Sequence, residues 1–110
     1  MIELTIKNYL DKSIRVPVFL EEPRDKPKRY VLIDKTGSSE NDKIKSATIA
    51  FQSYAESMYE AAMLNEEIKA LLDQSIYYTD IAKAKINSDY NFTDTTSKRY
   101  RYQAVYDFVY

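Results

Sequence analysis

The spacing of apolar residues changes period several times along the chain, and each change marks an element. Ile2, Ile6, Tyr9 and Leu10 recur at helical intervals, with Glu3, Lys7 and Asp11 turned the other way. That pattern predicts a short helix over residues 2–12. Val16-Pro17-Val18-Phe19-Leu20 is apolar and β-branched, but Pro17 has no amide to give to a ladder, so the segment reads as an edge strand. Pro23 and Pro27 bar helix from the charged stretch at 22–28, which becomes a loop. RYVLIDK at 29–35 is strand-like, and Thr36 to Asp42 supplies the turn residues of a hairpin tip. Gly37, the only glycine, suits a backbone position with positive φ. From Lys43 to Gln52 the chain alternates again, with Ala47, Ile49 and Phe51 on one face and Thr48, Ala50 and Gln52 on the other.

Ser53-Tyr54-Ala55-Glu56 has the form of a capping box and predicts the start of the main helix. Its stripe is Ser57, Ala61, Leu64, Ile68 and Leu71, with Met58 and Leu72 at the margin, and it runs to about Leu72. Glu56 and Glu60 lie near its N-terminus, where the macrodipole favours negative charge. Beyond a polar link, residues 81–86 set Ala82, Ala84 and Ile86 against Lys83 and Lys85. Residues 99–110 set Tyr100, Tyr102, Ala104, Tyr106, Phe108 and Tyr110 against Arg101, Gln103, Val105, Asp107 and Val109. Two more strands follow, with Tyr102, Tyr106 and Phe108 assigned to the core.

The order α-β-β-β-α-β-β predicts one α+β domain over 1–110: a mostly antiparallel sheet of about five strands with two helices packed on one face. Two helices leave the other face bare. Yet the strand at 29–35 is apolar on both sides, Tyr30 and Leu32 on one and Val31 and Ile33 on the other, and the last strand adds Val105 and Val109 to its second face. Apolar surface on an uncovered sheet marks a protein interface. Val31, Ile33, Val105 and Val109, with Gly37 at the hairpin, are the candidate interface residues.

Composition narrows the chemistry. With no cysteine and no histidine, the chain lacks disulfides, thiolate ligands and the commonest general base and metal ligand. A single glycine rules out a Walker-type phosphate loop. Glu67-Ile68-Lys69 has the Glu-x-Lys spacing of some metal-dependent nucleases but falls inside the main helix, where it reads as a solvated pair. Asp89 and Asp94, with Thr95 and Thr96, have donors for a cation; as residues flanking a loop they are better read as bonding their own backbone. No catalytic residue, cofactor or metal is assigned. Sixteen basic residues against seventeen acidic ones, spread evenly, give no face for nucleic acid to be read by sequence. The one basic cluster, Arg24, Lys26, Lys28 and Arg29, is a solvated loop or a docking contact, with Glu21, Glu22 and Asp25 cancelling much of its charge. No apolar run reaches the ~20 residues of a membrane span, and the N-terminus lacks the order of a signal peptide, so a cytoplasmic site of synthesis is expected. Eleven tyrosines and no tryptophan favour contact surfaces, since tyrosine gives large area at small entropic cost.

Three segments taken together, VPVFLEEPRDKPKRYVLIDKTG, SATIAFQSYAESMYEAAMLNEEI and SDYNFTDTTSKRYRYQAVYDFVY, resemble the tail terminator (tail completion) proteins of long-tailed bacteriophages and prophages. The likeness lies in their order. A loop with spaced prolines enters an aromatic-led strand ending at a Thr-Gly turn, and an alternating strand closes in Gln52-Ser53-Tyr54-Ala55 and opens an alanine-rich helix. An Asp94-containing loop then precedes an Arg-Tyr strand. Tyr54 stands where a tryptophan is frequent in such proteins, and Ser38 where a second glycine is common. The resemblance implies a homo-oligomeric ring, typically a hexamer, at the head-proximal end of the virion tail. Its partners would be the tail tube protein and the head connector, and DNA would pass through without being read. Rings need heterologous contacts, for which Lys83 and Lys85 on one side and Glu60 and Glu67 on the other are candidates, while the basic loop is a candidate lining of the lumen. Other readings are a head-closure protein, or a small adaptor binding a partner through a sheet edge.

Overall fold

A computed structural model describes residues 1–94 and 99–110. The chain order is α1 (Ile2–Ser13), β1 (Val18–Phe19), β2 (Tyr30–Asn41), β3 (Ile44–Ala55), α2 (Met58–Asp73), a 3-10 turn (Ser75–Tyr77), β4 (Lys83–Asn91) and β5 (Tyr100–Val109). The strands form one sheet in the order β1-β2-β3-β5-β4, with β1 parallel to β2 and every other pair antiparallel. This is the expected α+β arrangement, in the expected order. No helix among the described residues is long and apolar enough to cross a membrane.

Both helices lie on one face. Ile2, Ile6 and Leu10 of α1 and Ala61, Leu64, Ile68 and Leu72 of α2 are buried against alternate residues of the sheet: Val31, Ile33, Ala47, Ile49, Phe51, Ala104, Tyr106 and Phe108. Each fully buried side chain of this size contributes about 1.5–3 kcal/mol of transfer free energy. Phe51 meets the edges of Tyr106 and Phe108 at ring distances of 6.2 and 6.1 Å, a packing aromatic quadrupoles favour. Polar bonds pin the helices in place. Tyr9 of α1 donates its hydroxyl to the Leu71 carbonyl at 2.7 Å. Tyr106 of β5 donates to Asp73 at 2.7 Å, and burial together with that carboxylate raises its pKa well above the usual phenol range.

Four details depart from the periodicity. Val31 and Ile33, expected on an uncovered face, are 0% and 3% exposed and belong to the core beneath the helices; Leu32 and Tyr30 face the other way. The capping serine is Ser57, not Ser53: β3 continues to Ala55 because it is paired on both sides, so the chain stays extended until Ser57, whose hydroxyl accepts from the Glu60 amide at 3.1 Å. Ser57-Met58-Tyr59-Glu60 repeats the Ser-x-x-Glu spacing one turn later. The hairpin tip also lies further on. β2 runs through 36–41, and the turn is Asp42-Lys43, with φ of 52° and 68°, the two left-handed residues of a type I′ turn. Gly37 has no positive φ; it lies beside a bulge between Lys35 and its own pairing with Thr48, and a Cβ there would meet nothing within 4 Å. Finally, the fourth strand is Lys83–Asn91, later and longer than 81–86, and Ile81 is buried ahead of it.

A candidate interaction surface on the open sheet face

Alternation leaves every second strand residue on the face without helices, and register aligns them into rows. Tyr30, Tyr54 and Arg101 form the first; Leu32, Gln52, Gln103 and Tyr90 the second; Asp34, Ala50, Val105 and Ser88 the third. Gly37, Thr48, Asp107 and Lys85 form the fourth, and Ser39, Ser46, Val109 and Lys83 the fifth.

Four of these rows are tied across strands by side-chain hydrogen bonds, the fifth by Ser39 and Ser46 at 2.7 Å. Gln52 donates Nε2–H to Gln103 Oε1 at 2.9 Å, Gln103 donates on to the Tyr90 hydroxyl, and the Tyr54 hydroxyl donates to Gln52 Oε1 at 3.0 Å. Arg101 donates Nη1–H to Tyr54 at 2.8 Å and Nε–H to the Phe92 carbonyl at 2.9 Å, with its guanidinium 4.2 Å from the Phe92 ring centroid. In the fourth row Thr48, and beside it Asn87, donate to the two carboxylate oxygens of Asp107 at 2.7 and 3.0 Å. These bonds, Thr48's first, hold Asp107 below the usual carboxylate pKa, and nearby Lys85 acts in the same direction. The open face is therefore a polar and aromatic surface crossed by hydrogen bonds between strands. Val105 and Val109 lie on it half-buried, as the alternation requires; Tyr102, assigned to the core, is also only half-buried.

At one corner the Tyr30 and Tyr54 rings stack at 4.5 Å, with the Arg99 guanidinium 5.4 Å from the Tyr30 centroid. Tyr30 donates to Glu22 at 2.7 Å, and burial followed by that carboxylate raises its pKa. Lys26 pairs with Glu22 at 3.5 Å, and Arg99 donates to the Pro27 carbonyl at 3.1 Å. These contacts anchor the proline loop and border a cavity of about 240 Å³ lined by Glu22, Lys26, Tyr30, Tyr54, Asp94, Arg99 and Arg101. Arg24, Lys28 and Arg29 of the basic loop are exposed beyond it.

The remaining candidates separate. Lys83 and Lys85 are exposed on β4 and point to the open face, whereas Glu60 and Glu67 are exposed on α2, across the sheet from them. Lys69 does not act with Glu67: it pairs with Glu66 at 2.7 Å and with Asp89, which also accepts from Asn65 at 2.7 Å, and these hydrogen bonds raise its pKa. Asp89 is thus a strand residue tying β4 to α2. Asp94 bridges to Arg99 in an isolated β-bridge, and Thr95 and Thr96 lie outside the described residues. Among the described residues no group of three or more acidic side chains is gathered that could hold a metal ion.

The glutamine ladder was missed from the sequence, because two glutamines 51 positions apart announce nothing until register places them opposite each other. No protein-family model matches the chain, and no curated protein is detectably similar to it.

Proposed function

We propose that the chain is a structural subunit of virion assembly, a ring-forming tail terminator that caps a phage tail tube and helps join tail to head. The observation that carries this reading is the β2–β3 arm. Both strands are twelve residues long, yet from Asp34 through Lys45 every residue is exposed, with Ile44 beside the turn 58% so. β3 is backed by β5 from Ser46 onward, so the exposed residues are the outer edge of the sheet and its hairpin end, and an edge that buries so little within its own chain is suited to packing on a neighbour. The order of motifs along the sequence supports the same reading, and so does a sheet face built from hydrogen-bonded polar rows. In a ring, the exposed cations Arg24, Lys28 and Arg29 would suit a lumen through which DNA passes without being read.

Particles assembled without this protein provide the test. Overlong tails, or finished tails detached from heads, are expected by electron microscopy; normal virions overturn the proposal. Tails of normal length that fail only to join heads favour a head-closure role instead. A chain that stays monomeric at rising concentration by light scattering, and leaves virions unaffected when removed, favours an adaptor that binds through a sheet edge.

A further inference from the structure

The backbone hydrogen bonds settle which strand groups have nowhere to go. Tyr110 N–H donates to the Lys45 carbonyl and Phe92 N–H to the Arg101 carbonyl. Even-numbered residues of β5 therefore turn their amides to β3 and odd-numbered ones to β4. On β4 the partners of the odd residues are Lys83, Lys85, Ser88 and Tyr90, so Ala84, Ile86, Asp89 and Asn91 direct their amides and carbonyls outward. The same alternation crosses the sheet. Val31 N–H donates to the Pro17 carbonyl, and Ile33, Lys35, Ser38 and Glu40 face the same way. β1 covers this edge only opposite Val31 and Leu32. Among the described residues no strand pairs with 33–41 on that side, or with the outer side of β4.

Two free edges thus stand at opposite ends of one sheet. The 33–41 stretch that β1 leaves open equals β4 in length. Three antiparallel pairings separate β2 from β4, so the two strands run in opposite directions. A second copy placed beside the first, with the same face outward, would therefore meet β2 with its β4 in antiparallel sense, and the sheet would continue. Side chains agree on the shared open face. In the register that sets the outward residues Ile33, Lys35, Ser38 and Glu40 opposite Asn91, Asp89, Ile86 and Ala84, Lys85 meets Ser39 and Lys83 meets Asn41 without a like charge, and on the opposite face Lys35, engaged by Glu3 at 3.5 Å, meets Asp89. β4 also has no proline to blunt it.

We infer that the partner of β4 is the 33–41 edge of a second copy of this chain, a head-to-tail contact that extends the sheet from subunit to subunit. It sets Lys83 and Lys85 opposite Asn41 and Ser39, in place of a match with Glu60 and Glu67. Such a contact is heterologous, and a succession of them closes into a ring or runs on as a filament. The inference rests on the ring reading for its geometry, yet its test is separate.

Because the chain has no cysteine, introduced thiols report without background. Ser39→Cys and Lys85→Cys in the same chain, treated with a short bismaleimide, are expected to give a ladder of covalent oligomers ending in one closed species, and each single variant none. Ile86→Pro removes an outward amide while leaving the β4–β5 ladder intact, and it is expected to raise the concentration for half-assembly about tenfold or more, with circular dichroism confirming the fold. A covalent dimer from Lys85→Cys alone indicates β4 meeting β4 and overturns the inference. So does a wild-type chain that remains monomeric. Rings that form without the cross-link and are indifferent to Ile86→Pro overturn it too, while leaving the tail role to the particle experiment.

Discussion

Thr48 and Asp107 face each other across the β3–β5 pair, the threonine hydroxyl donating to the aspartate at 2.7 Å, while Asn87 secures the second carboxylate oxygen from β4. Three strands of the open face are held by one ionised group. Its folded pKa lies below the unfolded value of about 3.9, so the stability it contributes is present above that value and is lost as pH falls through the lower, folded pKa. Asp107→Asn keeps the shape but removes the charge. We expect it to cost about 1 kcal/mol at neutral pH and to flatten the stability profile below pH ~4, measured by urea unfolding across pH. An unchanged acid limb would mean that Asp107 is not the group responsible.

Asn65 is a polar residue in the middle of the apolar stripe of α2, 1% exposed, with its amide bonded to Asp89 and its carbonyl oxygen unpartnered. It joins helix to edge strand in a place where leucine would pack. Removing one partner leaves the other partly stranded, so Asn65→Ala and Asp89→Ala should each destabilise by about 1–3 kcal/mol. Their double-mutant cycle should show a coupling of about 0.5 kcal/mol or more. Additive losses would show that the pair does not interact in solution.

The main helix offers a direct comparison of two serines. The sequence contains two Ser-x-x-Glu boxes, starting at Ser53 and Ser57, and local pattern alone cannot choose between them; pairing of β3 with both neighbours decides for the second. Ser57→Ala is expected to cost about 1 kcal/mol through loss of the cap. Ser53, fully buried with its hydroxyl unpartnered, should tolerate alanine with little or no loss, since the change removes a desolvated group. Thermal unfolding of the two variants checks the order, and the reverse ranking would restore Ser53 as the cap.

What was legible in the sequence follows from the same distinction. The stripes of α1 and α2 and the alternation of β3 and β5 are local periodicities, and they placed Ile6, Leu10, Leu64, Ile68, Phe51, Tyr106 and Phe108 correctly in the core. Whether Val31 or Leu32 faces the helices was not legible, because β2 begins with four apolar residues in succession, Tyr30 to Ile33, and such a run has no phase of its own. Its phase is imposed by register with β3, where Ile33 lies opposite Phe51. The rows of the open face are nonlocal in the same way: Gln52, Gln103 and Tyr90 become one unit only through pairings across three strands.

The hairpin turn carries the last prediction. Glycine was expected where the chain reverses, but Gly37 sits in a strand and the left-handed positions fall to Asp42 and Lys43. A left-handed lysine carries a Cβ penalty of about 1 kcal/mol, more than aspartate, whose short polar chain tolerates that region. Lys43→Gly creates Asp-Gly, a favoured type I′ pair, and should stabilise the arm by about 0.5–1 kcal/mol with the same register. Gly37→Ala, with open space around its Cβ and no positive φ, should also be neutral or stabilising, because it reduces the freedom of the unfolded chain. Amide exchange within β2 and β3 reads both effects locally. Slower exchange at 36–46 in each variant is the expected result, whereas faster exchange in Gly37→Ala would place a strained glycine, and hence the turn, back where the sequence first suggested it.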